Sequence, residues 1–275
     1  MPMGKKQMTR LMPAGLLLGA LLLSACESKK KETYVDLPVE TLYNQASDAM
    51  MTGEYDVAAR LFEEVEQQHP YSVWATKAQL MAAYSYYLKD KFDEAILAAD
   101  RFIQLHPGNR DAAYAYYLKA ISYYAQIADV QRDQGLTELA MNMLNEVVRR
   151  FPESPYARDA RVKYDLTRDH MAGKEMEIGR YYMKSGHYGA AVARFRQVIE
   201  RFQTTSHVPE ALLRLTECYL AIGVKEEAQT AAAVLGHNFP GSDWYEDAYA
   251  LLTGVKLQPR ENEGSWISRA FKSVF

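Results

Sequence analysis

The chain has 275 residues, of which 48% are hydrophobic and 24% charged, enough for one or two domains or one elongated repeat array. Its formal net charge is −3, and the cations Lys5, Lys6 and Arg10 all precede Cys26, so the remainder is more acidic still. That balance excludes a general electrostatic affinity for nucleic acid, and two cysteines in unrelated contexts, Cys26 and Cys218, exclude a disulfide framework.

Residues 1–25 read as a signal peptide: three basic groups, then a nearly unbroken apolar run over 11–23. The run is shorter than the roughly 20 residues that span a bilayer. Leu23-Ser24-Ala25-Cys26 resembles the bacterial lipobox, in which the Cys thiol is acylated and becomes the mature N-terminus. The expected product carries a diacylglycerol and an N-acyl chain on Cys26, holding the protein to a membrane surface without a spanning helix. The alternatives are an ordinary signal peptide with a coincidental cysteine, or an N-terminal anchor. Glu27, where an aspartate would retain the protein at the inner membrane, favours delivery to the outer membrane. Residues 26–37 form a polar, lipidated tether.

From residue 38 a helix-turn-helix phrase recurs. It is clearest over Tyr84–Pro107, where an aromatic helix runs into a polar turn at Lys89–Lys91 and a second amphipathic helix stops at a proline. Second helices end at His69-Pro70, His106-Pro107, Phe151-Pro152 and Phe239-Pro240, with Gln203 in the proline's place in the fourth copy. Counting back 12, 8 and 5 residues from each end gives Ala58, Phe62 and Val65; Ala95, Ala99 and Phe102; Ala140, Leu144 and Val147; Ala191, Phe195 and Val198; and Ala228, Ala232 and Leu235. Small residues recur where two helices must approach closely, and larger ones where the next copy must be met. Ala46, Ala83, Gly179 and Thr216 hold the small position of the first helices. The pattern predicts an all-α fold: an α-solenoid of about five tetratricopeptide-like (TPR-like) repeats, over 38–70, 71–107, 108–152, 153–203 and 207–240. The third repeat carries a polar loop at Gln126–Gly135. The first helix of the fourth runs long, from about Pro155 to Lys184, with a break expected near Gly173. A closing helix follows over Asp243–Lys256. After a polar breaker, the segment W-I-S-R-A-F-K-S-V-F within 257–275 reads as a short amphipathic helix. It either folds back on the last repeat, docks a partner or lies on a membrane surface.

No catalytic set emerges. The six histidines form no ligand pattern, and there is no H-E-x-x-H, G-x-S-x-G, P-loop or G-x-G-x-x-G. No metal or cofactor is expected, and Cys218 reads as a buried free thiol. What remains is surface. The first helices of such a solenoid line its inner groove, and register places Tyr43 and Met50 there in the first repeat. It places Lys77, Leu80, Tyr84 and Tyr87 there in the second, and Tyr114, Tyr117, Ile121 and Tyr124 in the third. A tyrosine-lined trough suits an extended or helical peptide bearing aromatic residues. The other reading is packing between repeats.

A lipobox, a tether, uneven TPR-like repeats, F-P helix endings and a long fourth-repeat first helix together resemble the BamD family of outer-membrane assembly lipoproteins, over roughly Thr33–Lys256. Gln203 and the tail after Gln258 depart from the pattern. The resemblance implies a non-enzymatic scaffold of the β-barrel assembly machine, anchored to the outer membrane and facing the periplasm. The implied partners are a BamA-like barrel protein, met through its last POTRA domain, other small assembly lipoproteins and unfolded outer-membrane proteins. Residues 38–152 would hold the client groove and 153–256 the docking region. The family's POTRA-contacting arginine falls on Arg194 when Gly189–Phe202 is aligned, with Arg196 nearby. The competing reading is another envelope TPR lipoprotein, tethering peptidoglycan or cell-division proteins.

Overall fold

The computed structural model describes residues 36–128 and 134–254. The expected signal peptide, Cys26, the tether up to residue 35, residues 129–133 of the polar loop and the tail lie outside the described residues. Eleven helices follow in order among the described residues: α1 (Val39–Met51), α2 (Tyr55–Gln68), α3 (Val73–Leu88), α4 (Phe92–Leu105), α5 (Ala112–Ala125), α6 (Gly135–Arg150), α7 (Pro155–Lys184), α8 (Tyr188–Arg201), α9 (Val208–Ala221), α10 (Lys225–Asn238) and α11 (Asp243–Thr253). Five antiparallel pairs, α1–α2 to α9–α10, stack side by side and α11 closes the row, as the repeat register predicts.

Local chemistry sets each boundary. Within repeats one, four and five, the turn residue is Gly53, Gly186 or Gly223, at φ of 82°, 76° and 83°. There the chain closes a Schellman turn: the N–H of Glu54 donates to the carbonyl of Ala49 (2.8 Å) and that of Gly53 to Met50 (3.2 Å). The second repeat makes the same turn with Asp90 at φ 60°, a conformation aspartate tolerates better than most side chains. All five second helices end on a residue near φ −130°, ψ 50°: His69, His106, Phe151, Phe202 and Phe239. A following proline disfavours helix at the residue before it. Phe202 takes the same conformation ahead of Gln203, so the capping backbone bond from Phe202 N–H to the Val198 carbonyl (2.9 Å) suffices without the proline. Ser72 and Ser242 cap α3 and α11 by accepting from the N–H three residues on.

Every residue in the three repeating small and large positions of the second helices is buried, at 0–1% exposure. The first helices touch one another across repeats, α1 with α3, α3 with α5, α5 with α7, α7 with α9 and α9 with α11; no pair of second helices does so comparably among the described residues. First helices therefore line the inner side of the stack and second helices the outer.

Two expectations need correction. The fourth-repeat first helix is continuous over its 30 residues, with no break at Gly173. One helical glycine costs only about 1 kcal/mol, and the ring of His207 packs where a Gly173 side chain would start (3.2 Å). The closing helix ends at Thr253 rather than Lys256, because Gly254 adopts the left-handed conformation at φ 73°.

Candidate functional site

The inner face of the first three repeats gathers most of the tyrosines that register assigns to it. On α3 and α5, Tyr84 meets Tyr114 edge-on, with ring centroids 6.3 Å apart. Tyr114 lies 5.2 Å from Tyr156 at the start of α7, and Tyr117 stacks on that same ring at 5.1 Å. Tyr87 packs against Phe92 at 5.8 Å. Tyr124 lies beneath the ammonium of Lys163, 5.8 Å from its ring centre. Tyr43 on α1 packs on Phe62 and on Trp74, and the Lys77 ammonium sits over the Trp74 ring at 5.1 Å. All these tyrosines are half-buried, so each both packs and presents an edge, while Lys77 is exposed. Leu80 and Ile121 are 9% and 8% exposed. They lie beneath the face rather than on it, Leu80 against Phe102 and Ala115, Ile121 against Ala83, Ala99 and Leu118.

The surroundings hold three of these hydroxyls in the neutral form. Burial raises the Tyr43 and Tyr114 hydroxyl pKa values above the ordinary value. For Tyr117, burial is joined by its hydrogen bond to Asp159 Oδ2 (2.6 Å). For Asp159 burial works upward, but the Lys163 ammonium at 2.7 Å and the Tyr117 hydroxyl outweigh it and hold the carboxyl below its ordinary value. The site offers apolar rings, neutral O–H donors and a fixed Asp159–Lys163 ion pair. It suits backbone carbonyls and apolar or aromatic side chains, and has no group poised for acid-base or nucleophilic work.

Register reasoning missed Trp74, Tyr156 and Asp159. A signal was present: Pro70-Tyr-Ser-Val-Trp74, Pro152-Glu-Ser-Pro-Tyr156 and Pro240-Gly-Ser-Asp-Trp244 share Pro-x-Ser-x-aromatic. The serine begins the next first helix and the aromatic follows in its first turn. There it meets a side chain of the preceding first helix: Tyr43 on Trp74, Tyr117 on Tyr156, and the Arg214 guanidinium over Trp244 at 5.7 Å.

Toward the C-terminus, Arg194 on α8 donates to Glu175 Oε2 on α7 (3.1 Å), with the arginine side chain 38% exposed and the glutamate 12%. The guanidinium is thus held by one nitrogen while the side chain stays partly exposed. Arg196 points elsewhere: it pairs with Glu200 one turn along α8 (2.8 Å) and borders a groove between α8 and α10. Cys218 is fully buried in α9, its thiol pushed up to about 11 by burial. Among the described residues no group of three or more His, Cys, Asp or Glu is placed to hold a metal ion, and no helix is long and apolar enough to cross a membrane.

Comparison with known proteins identifies the family. The family model described as outer membrane lipoprotein, YfiO, matches residues 35–235. The outer membrane protein assembly factor BamD of Caulobacter vibrioides is 52% identical over 248 residues, covering 90% of this chain and 81% of that protein. The BamD of Rickettsia prowazekii is 44% identical over 246 residues, covering 90% and 98%, and that of Neisseria meningitidis serogroup A is 35% identical over 245 residues, covering 86% and 92%. The chain belongs to the YfiO (BamD) family of outer-membrane lipoproteins: helical-repeat scaffolds, lipid-anchored and facing the periplasm.

Proposed function

We propose that this chain is a scaffold of the outer-membrane β-barrel assembly machinery with two working ends. The N-terminal repeats, 38–152, receive the aromatic-ended targeting segment of unfolded outer-membrane proteins. The C-terminal repeats and closing helix, 153–256, hold the last POTRA domain of a BamA-like barrel protein and leave room for small accessory lipoproteins. Cys26 carries the diacylglycerol and N-acyl chains that anchor the whole. The observation that carries the client reading is the run of tyrosine rings Tyr84, Tyr114 and Tyr117 around Tyr156, on the inner face of consecutive first helices. Extended chains are held by main-chain hydrogen bonds plus pockets for alternate side chains, and neutral tyrosine hydroxyls beside open ring edges supply both.

The test is peptide binding. Tyr84→Ala combined with Lys77→Ala removes one half-buried ring and one exposed ammonium from this face. It should weaken binding of a barrel protein's C-terminal peptide about tenfold, the size of one moderate contact residue, with unchanged helical circular dichroism. Unchanged affinity would remove the client groove from this face. For docking, Arg194→Glu should abolish POTRA binding, and a reversed charge on the facing POTRA acid should restore part of it. Loss without such restoration would reduce Arg194 to a fold contact with Glu175.

A further inference from the structure

Two grooves on the outer face are the same place in the solenoid, 133 residues apart. One lies among α2, α3 and α4, with Glu66, Gln79, Ala82 and Arg101 in its lining; the other lies among α8, α9 and α10, where the corresponding residues are Ile199, Leu212, Leu215 and Val234. Both keep a tyrosine, Tyr86 or Tyr219, and a glutamate, Glu94 or Glu227. The first groove is occupied by its own polar side chains: Glu66 accepts from Gln79 (2.7 Å) and Arg101 (2.5 Å), Tyr86 donates to Glu63 (2.7 Å), and His106 pairs with Gln79 (2.9 Å). In the second, aliphatic side chains replace that network, and the trough measures about 390 Å³ against about 260 Å³ for the first. Its rim carries Glu200, Glu226 and Glu227 against the single cation Arg196.

We propose that this trough seats the chain's own residues 266–275. The segment reads W-I-S-R-A-F-K-S-V-F: Trp266, Ile267, Ala270, Phe271, Val274 and Phe275 recur at helical spacing, and Arg269 and Lys272 lie off that stripe. An apolar face with a cationic flank is the complement of an apolar floor with an acidic rim. Position agrees. α11 stands where the first helix of a sixth repeat would stand, packed on α9 and α10. Its C-terminus therefore emerges on the edge of the within-repeat turns, the edge that also carries Glu226 and Glu227 in the first turn of α10. The eleven residues 255–265 reach at most roughly 36 Å when extended, whereas α10 itself is only about 21 Å long. A linker this short holds the segment at millimolar effective concentration, so modest intrinsic affinity fills the trough.

The experiment is disulfide trapping in the full mature chain with Cys26→Ser, leaving Cys218 buried. Thr230→Cys on the trough wall is paired with Ser273→Cys, and Leu251→Cys on the exposed side of α11, nearer the tail's origin but outside the trough, is paired with the same Ser273→Cys. Under mild oxidation the Thr230 pair should cross-link at least about fivefold faster than the Leu251 pair, the excess that seating gives over tethering alone. Adding Glu226→Lys and Glu227→Lys should erase most of that excess. Equal rates at the two positions, or no cross-link at Thr230, would overturn the proposal. So would loss of the Thr230 cross-link on adding anionic phospholipid vesicles, which would make the lipid surface the segment's partner.

Discussion

At the scale of single residues, close approach decides what the repeat can accept. Gly179 holds the small position of α7, and a Cβ built there would meet the Phe195 ring at 2.5 Å. That ring is fully buried and cannot swing away. Gly179→Ala should therefore destabilise the protein by about 1–3 kcal/mol despite alanine's better helix propensity. Gly189→Ala in α8, where nothing lies within 4 Å, should be neutral or stabilising by up to about 1 kcal/mol. Urea unfolding of the two variants side by side checks the pair, and a Gly179→Ala midpoint at or above the parent's would refute the packing argument. Register made this position legible, because Ala46, Ala83 and Thr216 share it. Leu80 and Ile121 were less legible: register fixes the direction a side chain leaves its helix, but how deeply the next repeat covers it depends on that repeat's bulk. Tyr156 escaped because it enters from a neighbouring helix, through a motif that spans the boundary between repeats.

At the scale of the element, one helical position does different work in different copies. Glu66 on α2 is 15% exposed at its side chain and accepts from both Gln79 and Arg101. Glu66→Leu removes the shared acceptor and leaves the half-buried Gln79 amide without it, which should cost about 1–3 kcal/mol. Arg101, 64% exposed at its side chain, contributes as a surface ion pair, and Arg101→Leu should cost under about 1 kcal/mol. Thermal or urea denaturation distinguishes them, and equal losses would mean that the network acts only as a surface ion pair. The sequence shows that positions 66 and 199 are equivalent, but not that one groove is bridged by a polar network while the other is floored by aliphatic side chains. That difference depends on which side chains reach across three helices. The expected break at Gly173 failed for a similar reason. A glycine weakens a helix locally, whereas continuity is set by what packs along it, here Met171, Ala172 and Met176 against α8 and α9.

At the scale of the whole stack, stability in such repeats is a sum over neighbours, and each repeat is blind to all but the next. α7 meets its two neighbours through two separate clusters. Its first half, through Tyr156, Ala160 and Tyr164, packs into the cluster containing Ala120, Leu144 and Val147. Its second half, through Met171, Ala172 and Met176, belongs to the cluster that runs on to Tyr249. One continuous helix, about 45 Å long at 30 residues, thus joins the proposed client end to the proposed docking end. Because both halves must be helical together, the two clusters should unfold in a single transition. Asp165→Pro tests the coupling itself, since Asp165 is exposed and lies between the two packed halves. Proline there removes one helix hydrogen bond and collides with the preceding turn, at about 3 kcal/mol or more. If α7 is the coupling element, the loss will exceed a lower midpoint: urea unfolding followed by circular dichroism will separate into two transitions, with Trp244 fluorescence reporting the C-terminal one and Trp74 the N-terminal one. A single transition shifted to lower urea would mean that cooperativity passes through side-chain packing between repeats, and that the length of α7 serves only to space the two surfaces.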